Sequence, residues 1–196
     1  SVRPSLVIAV EGAGPPDVLK IVREAGIEVV PVSEETSEAG VLERIGAIAR
    51  AVGREKAATA LLDETRGRFA RLGELRARIG TPRTALFILS LQNGRVMAGG
   101  RNTTADGILR LAGATTVAAA IEGFKQMTDE AIVAAAPEVL VMMEHGPGGK
   151  PPADLFDSPA LSRTPAAREK RLVAMDGLYL LGFGPRTPDA ARDLLL

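Results

Sequence analysis

No cysteine and no tryptophan occur in the 196 residues, tyrosine and histidine occur once each, and aromatic residues make up only 3% of the chain. The lack of cysteine excludes disulfides, thiolate zinc sites and a cysteine nucleophile, and it carries no information about redox compartment. A single histidine, His145, with no recognisable nucleophile motif elsewhere, nearly excludes a histidine-based triad. There is no Gly-x-Ser-x-Gly, no P-loop and no paired His/Asp/Glu metal spacing, and GAGPP lacks the G-x-G-x-x-G order of a dinucleotide fingerprint. Charge of one sign is also lacking. Lys plus Arg and Asp plus Glu both number 24, so no net field recommends nucleic acid or an anionic membrane, and charge recognition must be local. No apolar run approaches the roughly 20 residues of a membrane span. Binding is left as a better class than catalysis.

What is present is a 46% hydrophobic chain, long enough to bury about 70% of its unfolded surface, in one large domain or two small lobes. Residues 6–10 and 27–32 are short β-branched runs suited to buried parallel strands, with a helix over 16–25 closed by Gly26 between them. Residues 37–79 hold no proline and repeat apolar side chains at helical spacing, which predicts helices over 38–52 and 54–78. The second carries Arg66, Arg68, Arg71, Arg76 and Arg78, read as a solvated face. After Pro82 come strands over 84–90 and 96–98, joined by the hairpin signal Asn93-Gly94. A helix over 104–112 has Thr103 and Asp106 as a capping box and Gly113 as its stop. Another helix begins after Thr128 and stops before Pro137; strands follow over 138–143 and 172–175, with 158–170 helical or irregular between them.

The most informative stretch is MDGLYLLGFGPRTP, residues 175–188. It reads as an apolar strand that enters a turn bracketed by Gly182 and Gly184, presents Arg186, and opens a helix with Thr187 as N-cap and Pro188 at the first helical position. Physically this is either a cation placed at an anion-friendly helix start or an ordinary turn with a solvated arginine. The segment GFGPRTP resembles the C-terminal signature of periplasmic haem-binding proteins, the receptors of bacterial haemin ABC importers. GGRNTTADGILRLAG (99–113), EGFKQMTDEAIVAAAP (122–137), residues 164–175 and residues 4–32 resemble the same family in order and spacing. The strand and helix patterns are shared with siderophore and cobalamin receptors, whereas GFGPRTP and GRNTTAD are fairly specific to haem receptors.

The resemblance implies an α/β two-lobe periplasmic binding protein with parallel sheets joined by a long helical spine. The domains are then 1–53, the remainder of an N-terminal lobe; 54–80, the linker helix; and 81–196, the C-terminal lobe. The halves look like weak repeats, because PSLVIAVEGAGPP with its following helix and strand shares an order with PEVLVMMEHGPGG and PALSRTPAAREKRLVAM. About fifty residues precede the second unit (84–136) and none the first, so a truncated N-terminal lobe and self-association of two chains through its open sheet are expected.

By the same resemblance the cargo is haem, the partners are an ABC permease and its ATPase, and the location is periplasmic, with a mature or trimmed chain expected since no signal peptide precedes Ser1. The principal iron ligand, a tyrosine in such receptors, is expected upstream of PSLVIA, so haem binding by these residues is expected to be weak or absent. Tyr179 is read instead as a core or cleft-edge aromatic with a bonded hydroxyl. His145, at the end of a strand, is a candidate iron ligand, with a solvent-exposed loop histidine as the alternative. Arg186, Arg101 and Lys125 are the candidate haem-binding cations, each in or beside a turn near a helix start; by the resemblance Arg186 is the best of them, able to hydrogen-bond a tyrosinate ligand or a propionate. Met127, Met142 and Met143 are weaker candidates than His145, since thioethers at strand and helix edges are usually packing or a soft lining for an apolar ligand; Phe124 and Phe183 are candidate apolar lining, with core packing as the equal alternative. Asn102, Thr103 and Thr128 could donate from caps. The rival readings are a cobalamin or ferric-siderophore receptor of the same fold, and a small cytosolic α/β enzyme.

Overall fold

A computed structural model describes residues 3–92, 94–144 and 155–195. Contacts divide the chain into two units, 1–67 and 68–196. In the first, β1 (Leu6–Val10) and β2 (Glu28–Val32) pair in parallel, connected by α1 (Pro16–Glu24). Pro16 stands in the first turn of α1 and Gly26, at φ +78°, ends it, as the sequence indicates. No residue of α1 is buried, and Val18 and Ile21 are exposed. α2 (Glu38–Ala51) starts at Ser37, whose hydroxyl accepts the Gly40 amide at 3.1 Å, and it buries Val41, Ile45 and Ala49. α3 (Glu55–Arg76) is one continuous helix of 22 residues, and the boundary between the units falls within it.

The second unit is built on a six-stranded mixed sheet. β3 (Thr84–Gln92) turns through Gly94, at φ +76°, into antiparallel β4 (Arg95–Gly99), so the predicted hairpin is present; Asn93 itself lies outside the described residues. α4 (Thr104–Leu111) follows, then β5 (Thr115–Thr116) beside β3, then β6 (Phe124–Met127) antiparallel to β4. α5 (Asp129–Ala135) leads to β7 (Val139–Met143), which runs parallel to β3 in the register Leu86↔Leu140 and Phe87↔Val141. Two 3₁₀ turns and α6 (Pro165–Arg168) lead to β8 (Leu172–Met175), parallel to β7. α7 (Gly177–Leu181) and α8 (Thr187–Asp193) finish the chain, and the strand order is β6-β4-β3-β7-β8.

The apolar runs that suggest buried strands occupy the centre of that order. Leu86, Phe87, Ile88, Leu140, Val141 and Met142 are at most 1% exposed, each such side chain contributing on the order of 1.5–3 kcal/mol of transfer free energy. Glu138 ties the start of β7 to that of β3, its Oε2 accepting from the Thr84 amide at 2.8 Å and hydroxyl at 3.1 Å; these bonds hold its carboxyl below the usual range. The β1-α1-β2 and β7-to-β8 segments are both parallel strand pairs with an intervening helix, which is the repeat legible in the sequence.

Gly100 shows why GGRNTTAD carries paired glycines. A Cβ there would press into the Ile121 carbonyl, the same oxygen that accepts the Arg101 amide at 2.9 Å. Gly100→Ala is therefore expected to destabilise the second unit by about 1–3 kcal/mol, read as a lower urea midpoint. A midpoint equal to that of the parent would show that the Ile121 turn yields freely.

Candidate functional site

The apolar stretch after Met175 is a helix, where the sequence reading expects a strand. Asp176 caps α7 by accepting the Tyr179 amide at 2.7 Å, a local bond that the pattern LYLLGF conceals. Leu180 and Phe183, three apart, turn inward, while Leu178 is 72% exposed. The residue in the left-handed region is Phe183, at φ +44°, rather than either bracketing glycine. Gly182 is needed for another reason: a Cβ would enter the Leu178 carbonyl. The helix start is also one residue earlier than expected. Arg186 occupies the N-cap with no side-chain cap bond, Thr187 is the first residue of α8 and Pro188 the second.

Leu178, Tyr179, Gly182, Gly184, Pro185, Arg186 and Thr187 enclose a pocket of about 210 Å³. It follows β8, and Gly177, at the start of α7, abuts Met143 at the end of β7, which puts it on the carboxyl side of these two strands. The Arg186 guanidinium carbon lies 5.4 Å from the centroid of the Tyr179 ring. The Tyr179 hydroxyl donates to Asp193 Oδ2 at 2.8 Å, so the bonded aromatic expected of this residue is what the fold contains. Arg192 grips the other oxygen of Asp193 at 2.7 Å and reaches Asp189 at 3.4 Å; Asp189 takes Arg68 Nη1 at 2.6 Å. Burial, then the Asp193 hydrogen bond and charge, push the Tyr179 phenol up to about 12. Burial alone would raise the Asp193 carboxyl, and the bonds from Arg192 and Tyr179 more than offset it, leaving it below the usual range. Tyr179 is accordingly a held, protonated donor.

The Thr187 hydroxyl is 2% exposed and, among the described residues, has no hydrogen-bond partner.

The other candidates lie elsewhere. Arg101 pairs through its main chain with the turn before β6, accepting the Gly123 amide at 2.9 Å, and its exposed side chain stands next to Asn102, which donates to Glu122 at 3.1 Å. Lys125 is exposed in the middle of β6, opposite Ala98, and so does not stand near a helix start. Phe124, 38% exposed, meets Phe87 edge to face at 6.4 Å over Gly99, whose missing Cβ makes the room. Met127 packs partly into the core and lines an open pocket of about 670 Å³ with Gly94, Arg95, Gln126 and Thr128. Phe183 is 2% exposed, hence core rather than lining. Thr103 spends its hydroxyl internally, donating to the Gly100 carbonyl at 2.7 Å and accepting the Asp106 amide at 3.1 Å, and Thr128 likewise accepts the Ala131 amide. His145 lies outside the described residues. Among the described residues no group of three or more His, Cys, Asp or Glu side chains could hold a metal ion. Phe124, Lys125 and Met127 thus sit on one edge strand, β6, and Arg186 follows the opposite one, β8; neither pocket joins the two groups. Asp176 and Asp193 escape sequence reasoning, and Thr187, expected as an N-cap, is instead inside the helix with its hydroxyl buried. Asp176 alone leaves a local signal, a cap residue three before an amide it can reach.

The chain belongs to the periplasmic binding protein family, whose model matches residues 1–178. The periplasmic heme-binding protein RhuT from Roseiflexus sp. RS-1 superposes with a TM-score of 0.88 at 35% identity, over 98% of this chain and 74% of that one. The periplasmic heme-binding protein BhuT, solved with two hemes, gives a TM-score of 0.91 at 33% identity, again over 98% and 74%. An ABC transporter substrate-binding lipoprotein of Bacillus subtilis (strain 168), YvrC, is 28% identical across 99% of this chain, which spans 62% of that lipoprotein's length. The family and these neighbours are binding proteins of transport, not enzymes.

The raised phenol is directly measurable. A pH titration at the phenolate absorbance band should show the only tyrosine ionising near pH 12, and Asp193→Asn should bring the midpoint down toward 10.0. Because the folded value lies above the unfolded one, the associated stability is complete below about pH 10 and is lost as pH rises through about 12. A midpoint near 10 in the parent would mean that the Tyr179–Asp193 bond does not form.

Proposed function

We propose that this chain is the substrate-binding component of a bacterial ABC importer, acting in the periplasm, and that its cargo is haem, delivered to a membrane permease and its ATPase. The observation that carries the haem reading is the GFGPRTP turn, which presents Arg186 at a pocket that exposed Leu178 also lines, with the Tyr179 ring behind the guanidinium. Haem is a flat apolar disc with two carboxylates, and a guanidinium beside an apolar rim matches both parts. The likeness to RhuT and BhuT, each named as a heme-binding protein, supports the same cargo. Among the described residues no helix is long and apolar enough to cross a membrane, which agrees with a receptor that depends on a separate permease.

Haemin titration followed at the Soret band tests this reading. The parent should shift the band, if only weakly, cyanocobalamin should not compete, and Arg186→Ala should weaken haemin about tenfold further, the size of a charge-assisted hydrogen bond. Haemin dimethyl ester, which keeps the iron and lacks the free carboxylates, should bind parent and variant alike. Competition by cyanocobalamin, or an Arg186→Ala variant with unchanged haemin affinity, would overturn the proposal.

A further inference from the structure

Arg186 differs from the two arginines nearest to it in the network. Arg68 and Arg192 are each committed to aspartates, at 2.6 Å and 2.7 Å, whereas among the described residues Arg186 has no ion-pair partner and rests only on a ring. A cation over a ring face, here 5.4 Å from its centroid, is held without using its N–H donors, which leaves the guanidinium fork unspent. The ring is itself held at two points: Asp176 fixes the Tyr179 backbone amide at 2.7 Å and Asp193 fixes the hydroxyl at 2.8 Å. Asp193 cannot swing away easily, because Arg192 bonds its second oxygen through both Nε and Nη2, at 2.9 Å and 2.7 Å. The buried, partnerless Thr187 hydroxyl lines the same pocket, so a polar atom there awaits a partner.

Resting on the haem reading, we infer that Tyr179 and Asp193 are positioning residues for Arg186, which hold its guanidinium on the ring face so that its donor fork is directed to a carboxylate of the cargo. An unsupported exposed arginine would pay for ordering at each binding event. Here the ring carries that ordering beforehand, and the Asp193 carboxylate keeps the ring in register. The carboxylate-specific share of affinity is therefore divided between a residue that touches the ligand and two that do not.

The test is a double-mutant cycle in haemin titration, with haemin dimethyl ester as the probe that keeps the iron and lacks free carboxylates. Tyr179→Leu should weaken haemin roughly two- to fivefold, the size of an exposed cation–π contact, and leave the dimethyl ester unchanged. Tyr179→Phe, which keeps the ring, should recover most of that loss, and Asp193→Asn should lie between the two. In the Arg186→Ala background Tyr179→Leu should cost nothing more, since the positioned group is gone. Equal weakening of haemin and the ester by Tyr179→Leu would mark a general packing role and overturn the inference while the haem reading stands. So would additive losses in the double variant, or unchanged haemin affinity in Tyr179→Leu. If Arg186→Ala alone is without effect, the haem reading fails first and the inference falls with it.

Discussion

The parallel pairing of β3 with β7 is the contact on which the second unit depends. Both strands are covered on both faces, so their amides and carbonyls have no water to turn to and must pair with each other. That pairing fixes where β7 ends, and the end of β7 meets the start of α7, where Gly177 lies against the Met143 side chain. The pocket at Arg186 is thus an extension of the sheet's register. A one-residue slip in β7 would turn Leu140 and Met142 to the sheet's other face, away from the cluster they pack in, and would displace the Arg186 turn with them.

Around that pocket, charge is handled by neutralisation in series. Asp189 and Asp193 alternate with Arg68 and Arg192, so each buried or half-buried charge has an opposite neighbour and the run ends on a neutral phenol. Isolated pairs at such exposures contribute on the order of 0–1 kcal/mol each. The network's effect is geometric: it joins α3 to α8 and α8 to α7, and it gives the α7–α8 turn few alternatives. The chain's net charge of zero is consistent with recognition by one locally placed cation instead of a broad field.

The parts of this fold legible in the sequence are those governed by local rules. β-branched runs became β1, β2, β3 and β7, Gly26 and Gly113 ended helices at positive φ, and Thr103 capped α4. The stretch LYLLGF misled because a short apolar run has the same composition as strand or helix, and only Asp176, one residue before α7, tips it. That Arg186 stands in a turn just before a helix was legible in the residues around it. Its support was not, since Tyr179 and Asp193 are 14 residues apart and meet only after α7 and α8 fold against each other. Lys125 failed as a turn cation for a related reason: β6 is recruited as an edge strand by β4, a pairing that no nearby residue announces.

Phe183 combines a positive φ with near-complete burial of its ring. A bulky side chain in that backbone region costs on the order of 1–3 kcal/mol, tolerated because the ring is anchored in the core. Glycine there would relax the main chain but release the anchor, and any other large residue would keep the strain and lose the fit. Substitution at this position is consequently constrained from both sides, by the backbone conformation and by the fit of the ring in the core.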